Sequence, residues 1–197
     1  MRKTVVVAED DSLIRMDLVE MLKENEYDVL GEAKDGLEAV ELALKHTPDI
    51  LLLDLKMPFL LGTNVAKILK EKEYKNCIIM LTAYSMENYI KEATEYDVSG
   101  YLIKPLDEKI LLSQMDLLYK NYSEKIKLKN ALELSERKLR ERKMLEKAKG
   151  ILMCKYSLTE DEAYTKIRKI SVDKRISICQ LSEVINTTGE LYDKNLL

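Results

Sequence analysis

Apolar residues in the first half of the chain form short runs that alternate with amphipathic segments. Near-continuous runs such as Val5–Val7, Ile50–Leu53 and Ile78–Leu81 are typical of central strands in a parallel sheet that is covered on both faces. Five such strand–helix repeats predict a doubly wound α/β domain with a flavodoxin-like (βα)5 order. The predicted strands are Thr4–Ala8, Tyr27–Ala33, Ile50–Asp54, Ile78–Thr82 and Tyr101–Ile103, and the predicted helices are Ser12–Glu24, Gly36–Lys45, Thr63–Glu71 and Met86–Tyr96.

The second half of the chain has a helical pattern alone. A long helix is predicted over Glu108–Tyr156, a stretch with no proline and one glycine, and its imperfect heptads predict a coiled coil with a second copy. Two short helices, Glu160–Ile170 and Ile178–Asn186, follow capping boxes that begin at Thr159 and Ser177. The apolar positions of the long helix are Leu111, Met115, Leu118, Tyr122, Leu128, Leu132 and Leu139, and the polar interruptions are Lys125, Lys129, Ser135 and Arg142.

The net charge of −3 is divided unevenly along the chain. Residues 1–119 carry 14 Lys and Arg against 23 Asp and Glu, a net −9, whereas residues 120–197 carry 18 against 12, a net +6. A basic second half predicts either a polyanionic partner or a solvated helical face of mixed charge. The short apolar runs predict no signal peptide and no membrane span, and the three widely spaced cysteines are expected to be reduced, so we expect a cytoplasmic protein.

Polar side chains follow four of the predicted strands. Asp10 and Asp11 come after the first strand, Asp54 ends the third, Thr82 ends the fourth and Lys104 ends the fifth. Because ligand sites of open α/β sheets lie at the carboxyl ends of the strands, these groups should meet in one pocket. Three carboxylates repel one another unless a cation neutralises them, and an oxygen-rich site of this kind suits Mg²⁺. In such a pocket Asp54 can attack a phosphoryl donor, with Lys104 and the Thr82 hydroxyl bound to the phosphoryl oxygens.

This pattern resembles the response-regulator receiver family over about residues 3–119. The resemblance implies that Asp54 is the phosphoacceptor, that Asp10 and Asp11 hold Mg²⁺ together with Asp54 and the Lys56 carbonyl, and that a sensor histidine kinase is the donor. The motifs that carry the resemblance are Glu9-Asp10-Asp11, Asp54-Leu55-Lys56-Met57-Pro58, Thr82-Ala83 and Lys104-Pro105.

The same resemblance assigns roles to residues at the ends of the last two strands. Lys104 is implied to bind the phosphoryl group, and the Lys104–Pro105 peptide bond is implied to be cis, which proline makes tolerable. Thr82 and Tyr101 are implied to form the pair of residues that responds to phosphorylation.

The basic second half resembles the ANTAR output module over about residues 136–190, through the string Met144–Met153 and the later Glu162-Ala163-Tyr164 helix. The resemblance implies a three-helix RNA-binding domain that grips a leader RNA with two hairpins and so prevents transcription termination. Gly150, inside a helix, indicates close approach of another helix or of nucleic acid. The candidate RNA-binding residues are Lys147, Lys149, Gly150, Arg168, Lys169, Lys174 and Arg175.

We therefore expect three parts: a receiver over residues 1–119, a coiled-coil linker helix over 120–135 and an ANTAR domain over 136–197. Phosphorylation of Asp54 would favour a homodimer that binds the leader RNA, and the overall likeness is to ethanolamine-utilisation antiterminators. A DNA-binding transcription factor and a phosphorylation-dependent protein-interaction switch remain alternatives, although no clear helix-turn-helix is present. No catalytic constellation is expected outside the phosphoryl pocket, so the chain is predicted not to be an enzyme.

Overall fold

The computed structural model describes residues 2–83 and 96–191, and it contains the predicted parallel sheet. The five strands pair in the order β2-β1-β3-β4-β5, and every pair is parallel. This order confirms the flavodoxin-like arrangement. The strands are β1 (Lys3–Ala8), β2 (Tyr27–Ala33), β3 (Ile50–Asp54), β4 (Cys77–Ala83) and β5 (Gly100–Lys104).

Helices cover both faces of this sheet, as the apolar runs of the strands require. Alternate residues of β1 point to opposite faces, so that Val6 joins one apolar cluster and Val5 and Val7 join the other. The Val6 cluster includes residues of α2 (Gly36–His46) and α3 (Gly62–Glu71), and the Val5 cluster includes residues of α1 (Ser12–Glu24). The predicted helix Met86–Tyr96 lies outside the described residues except for Tyr96, which is in a turn.

The long helix is also confirmed, as α4 over Glu108–Tyr156, a single helix of 49 residues. Its first turns pack on the sheet through Leu111 and Met115, both fully buried in the Val5 cluster. Farther along the helix, Leu128, Leu132 and Leu139 are exposed. None of these three leucines belongs to an apolar cluster of the described residues, as expected of a helix face that needs a partner.

The chain forms two compact units, Met1–Ile126 and Lys127–Leu197. The second unit has its own apolar core, in which α4, α5 (Glu160–Lys174) and α6 (Ile178–Thr188) contribute residues such as Leu152 and Ile167. Both predicted capping boxes are present at the starts of α5 and α6. The short helices run past their predicted ends because residues 171–174 and 187–188 include neither proline nor glycine. The C-caps are Arg175 for α5 and Gly189 for α6, both in a left-handed conformation. Among the described residues, none of the helices combines the length and the apolar content that a membrane span requires.

Candidate phosphoacceptor site and candidate nucleic-acid surface

The carboxyl edge of the sheet brings Asp54 and Lys104 into direct contact. Lys104 Nζ lies 2.7 Å from Asp54 Oδ1 and 2.6 Å from Glu9 Oε2. Burial alone would lower the pKa of Lys104, but its hydrogen bonds and ion pairs with the two carboxylates outweigh burial and raise it. Lys104 is therefore a cation at neutral pH, held between two acids that are almost completely buried.

Three carboxylates lie close together at this edge of the sheet. The ligand oxygens of Glu9, Asp10 and Asp54 lie within 4.8 Å of one another. Burial raises the pKa of Glu9, although the hydrogen bond from Lys104 opposes the shift. A single lysine cannot balance three acids, and a cluster of carboxylate oxygens is the donor set that Mg²⁺ prefers, so these residues fit the predicted metal.

Asp11 occupies a different position from the one that the sequence suggested. Its Oδ1 accepts backbone N–H groups from Leu13 at 2.8 Å and Ile14 at 3.2 Å, so that Asp11 caps the start of α1. Glu9, which sequence reasoning did not single out as a ligand, lies in the carboxylate group instead. Because α1 begins at Ser12, the residue before it is the N-cap, where aspartate is favoured, and this signal in the sequence could have assigned Asp11 to the cap.

The loop after β3 folds closely against Asp54. The Lys56 backbone N–H donates to Asp54 Oδ2 at 3.0 Å. At Gly62, a Cβ atom would stand 2.5 Å from the Asp54 carbonyl oxygen, so only glycine fits this close approach. Both contacts hold the loop against Asp54, and binding of the metal by the Lys56 carbonyl stays a prediction.

The two predicted response residues lie on neighbouring strands. Asp54 pairs in register with Leu81, and this places Thr82 one residue farther along, at the same edge of the sheet. Thr82 is buried, and its hydroxyl donates to the Ala83 carbonyl at 3.2 Å. Tyr101 is half-buried on β5 against the Val6 cluster, and burial raises the pKa of its hydroxyl. The Lys104–Pro105 peptide bond is cis, as predicted.

The candidate RNA-binding lysines and arginines separate into two groups. Most are exposed and have no ion pair within residues 2–83 and 96–191, namely Lys147, Arg168, Lys169, Lys174 and Arg175. Lys149 is different, because it is only 7% exposed and its Nζ lies 2.8 Å from Glu146 Oε1 and 2.6 Å from Glu160 Oε1. Those hydrogen bonds raise the pKa of Lys149, so its charge is retained but already neutralised by carboxylates.

The space around Gly150 contradicts one of the two explanations that the sequence suggested for a glycine in this helix. A Cβ atom at this position would have no heavy atom within 4 Å. The prediction of close helix packing is therefore wrong for the described residues. The alternative, close approach of nucleic acid, stays a prediction.

Two family models match the chain. The model for the response regulator receiver domain matches residues 5–116, and the model for the ANTAR domain matches residues 134–185. The Transcriptional regulatory protein PdtaR of Mycobacterium tuberculosis is 37% identical over 94% of this chain and 90% of its own length. The Transcriptional regulatory protein YdfI of Bacillus subtilis is 36% identical over 57% of this chain and 53% of its own length.

Solved structures resemble the first unit. The REC domain of AraT, a response regulator from Geobacillus stearothermophilus, aligns with a TM-score of 0.56 and 34% identity over 64% of this chain and 98% of that structure. The signal receiver domain of the putative response regulator NarL from Mycobacterium tuberculosis aligns with a TM-score of 0.56 and 30% identity over 59% of this chain and 96% of that structure. These likenesses agree with the sheet order of the first unit.

Proposed function

This chain belongs to the response regulators that join a receiver domain to an ANTAR domain, and we propose that phosphorylation of Asp54 makes it a dimer that binds two-hairpin leader RNA and prevents transcription termination. The observation that carries the proposal is the contact of Lys104 with Asp54 and Glu9 in a buried acidic pocket, in a chain that also carries an RNA-binding class of domain. The proposed parts are a receiver over residues 1–119, a linker helix over 120–135 and an ANTAR domain over 136–197.

The pocket supports phosphoryl transfer by position and charge. An Asp54 carboxylate oxygen attacks the phosphorus of a phosphohistidine on a sensor kinase, a P–O bond forms, and the P–N bond to the departing imidazole breaks. Lys104 is already 2.7 Å from Asp54, where its charge can stabilise the added phosphoryl oxygens. Asp10, Asp54 and the Lys56 carbonyl, with Glu9 beside them, would hold Mg²⁺, which would supply further positive charge to the transferring group. We leave Asp11 out of this set because its carboxylate caps α1.

The response to phosphate is proposed to begin at Thr82. Its hydroxyl donates to the Ala83 carbonyl at 3.2 Å, a bond that it can exchange for a stronger one to a charged phosphoryl oxygen. Movement of Thr82 toward Asp54 leaves space for the ring of Tyr101 to follow. In this way the two residues transmit the state of Asp54 to the surface of β4 and β5.

The proposed dimer is supported by the exposed leucines of α4. Leu128, Leu132 and Leu139 follow one another at spacings of four and seven residues, so that they lie along one stripe of the helix. A parallel pair of α4 helices would bury this stripe in a coiled coil. It would also bring two ANTAR domains to the same end of the dimer, where one RNA with two hairpins can contact both.

The RNA surface is proposed to include Lys147, Gly150, Arg168, Lys169, Lys174 and Arg175. The first two lie on α4, and the open space above Gly150 allows close approach of an RNA backbone or base. Lys149 is assigned a structural position between Glu146 and Glu160, because an RNA phosphate would have to displace two carboxylates to reach it.

The test compares wild type with Asp54→Ala, each with and without beryllium fluoride, which imitates a phosphoryl group on a carboxylate. Only wild type loaded with beryllium fluoride should form a dimer in sedimentation equilibrium. Only this sample should bind the two-hairpin RNA tightly in filter binding. Duplex promoter DNA serves as the competing probe. Equal binding of the duplex would favour a DNA-binding transcription factor, and absence of any nucleic-acid binding at physiological salt would favour a protein-interaction switch.

A further inference from the structure

The most basic segment of the second unit is a part of α4 that lies outside the proposed RNA surface. Residues 137–143 contain five lysines and arginines and one glutamate. All five cations are exposed, and the one ion pair of this segment within the described residues joins Arg137 Nε to Glu141 Oε1 at 3.0 Å. An exposed pair four residues apart on a helix contributes little free energy, so this basic segment keeps nearly its full charge in water.

In the proposed coiled coil, on which this inference rests, like charges of the segment 137–143 are brought close together. With Leu132 and Leu139 at heptad position a, Lys138 occupies position g and Lys143 occupies position e. In a parallel dimer a g residue faces the e residue five positions later on the other helix. Lys138 therefore faces the partner's Lys143, and the two like charges repel on both sides of the coiled coil.

The heptads before this segment have the opposite arrangement. Glu124 occupies position g and Lys129 occupies position e, so that Glu124 faces the partner's Lys129 and the charges attract. All of these side chains are exposed in the single chain. The coiled coil is thus stabilised by charge at Glu124 and Lys129 and destabilised by charge at Lys138 and Lys143, which lie inside the ANTAR match.

We propose that the basic segment 137–143 is a second RNA contact, in which backbone phosphates lie against Lys138 and the partner's Lys143 and thereby stabilise the dimer. A phosphate between two lysines replaces repulsion by two attractions. By thermodynamic linkage, RNA then strengthens dimer formation by the same factor by which dimer formation strengthens RNA binding. The contact is to phosphates, so it adds affinity without reading the base sequence.

Acidic residues reduce the attraction of part of the neighbouring bundle for phosphate. Lys149 is neutralised by Glu146 and Glu160. The first turn of α5 adds Asp161 and Glu162, which repel a phosphate backbone. A phosphate strand that lies on the proposed bundle surface therefore gains further attraction by extending along α4 toward residues 137–143.

The substitution Lys143→Glu tests the contact, because it should have opposite effects on the two equilibria. The introduced carboxylate faces Lys138 of the other chain, so the dimer without RNA should become about fivefold tighter as repulsion becomes attraction. RNA binding should weaken at low salt. The slope of log K against log [KCl] should fall by about 1 to 2, since two phosphate contacts are lost in each dimer.

The matched control is Lys129→Glu, which changes the same charge at the same heptad position of the same helix. It should weaken the dimer, because it replaces the attraction to Glu124 by repulsion, and it should leave the salt slope of RNA binding by the beryllium fluoride-loaded dimer within about 0.5 of wild type. Dimer affinity is measured by sedimentation equilibrium and RNA affinity by filter binding at several KCl concentrations. The probes are a two-hairpin RNA and a hairpin-free RNA of equal length.

The outcomes separate this inference from the proposed function. If wild type binds the two-hairpin RNA and both variants lose the same affinity and salt slope, or Lys143→Glu loses neither, the second contact is wrong and the proposed function stands. If wild type binds both RNAs equally and Lys143→Glu alone weakens both, the second contact stands and hairpin recognition is wrong. If wild type binds neither RNA, both are overturned.

Discussion

Replacing Leu132 by Ala should weaken the proposed dimer by about 100-fold. The side chain is 60% exposed in the single chain, and this is the part that a partner helix can bury. The change removes three carbon atoms, each worth about 0.8 kcal/mol when fully buried, so the loss is about 1.4 kcal/mol in each chain and about 3 kcal/mol in the dimer. Since about 1.4 kcal/mol corresponds to a tenfold change in affinity, the dissociation constant rises by about two decades.

The helix provides a close control for this change. Leu134 is 51% exposed on the same helix, but two residues from Leu132 it points away from the proposed seam. Leu134→Ala should therefore leave the dimer constant within about twofold of wild type, while it has the same effect on helix propensity. Sedimentation equilibrium of beryllium fluoride-loaded proteins measures both constants. Equal effects of the two substitutions, or no effect of Leu132→Ala, would refute the assignment of the seam.

Three further predictions test the pocket, the core of the second unit and an exposed carboxylate of the first unit. Asp10→Asn should reduce the Mg²⁺ affinity at least tenfold in calorimetric titrations, whereas Asp11→Asn, which keeps a capping side chain, should not. A larger loss of Mg²⁺ affinity in Asp11→Asn than in Asp10→Asn would show that Asp11 is a metal ligand. Ile167→Ala should lower the stability of the second unit by about 2–5 kcal/mol in urea unfolding, because the side chain is fully buried, and an unchanged midpoint would contradict this. Burial alone would raise the pKa of Asp116, but hydrogen bonds from Lys3 and a tyrosine lower it, so its stabilisation is present above the ordinary value of 3.8 and is lost as the pH falls through the lowered pKa. Asp116→Asn should therefore destabilise the first unit by under about 1 kcal/mol at pH 7, a value limited by solvent exposure, and the difference from wild type should disappear in acid.

The sheet and the main residues of the pocket could be predicted because their signals are local. The apolar runs Ile50–Leu53 and Ile78–Leu81 specify strands buried on both faces, and every one of these residues except Ile78 is fully buried. Once the strand order is known, the polar residues at strand ends must meet. The contact between Lys104 and Asp54 follows from that topology, although 50 positions separate them in the sequence.

The remaining features depend on contacts that the sequence pattern does not encode. Three acids in a row do not reveal which of them lie beside Asp54 in the folded chain: Glu9 and Asp10 do, whereas Asp11 caps α1. Lys149 looked like a free cation because Glu160 lies eleven residues away, on the next helix. Gly150 indicated packing, but whether another helix approaches a glycine depends on the tertiary arrangement, and here the space is open.

The central claim is that the state of Asp54 controls RNA binding through dimer formation. The most direct measurement is the affinity of the full chain for a two-hairpin leader RNA, with and without beryllium fluoride, compared with the same RNA lacking one hairpin. The account predicts that loading tightens binding to the two-hairpin RNA at least tenfold, and that removal of one hairpin or the change Asp54→Ala abolishes this gain. Equal affinity of loaded and unloaded protein for the two-hairpin RNA would contradict it.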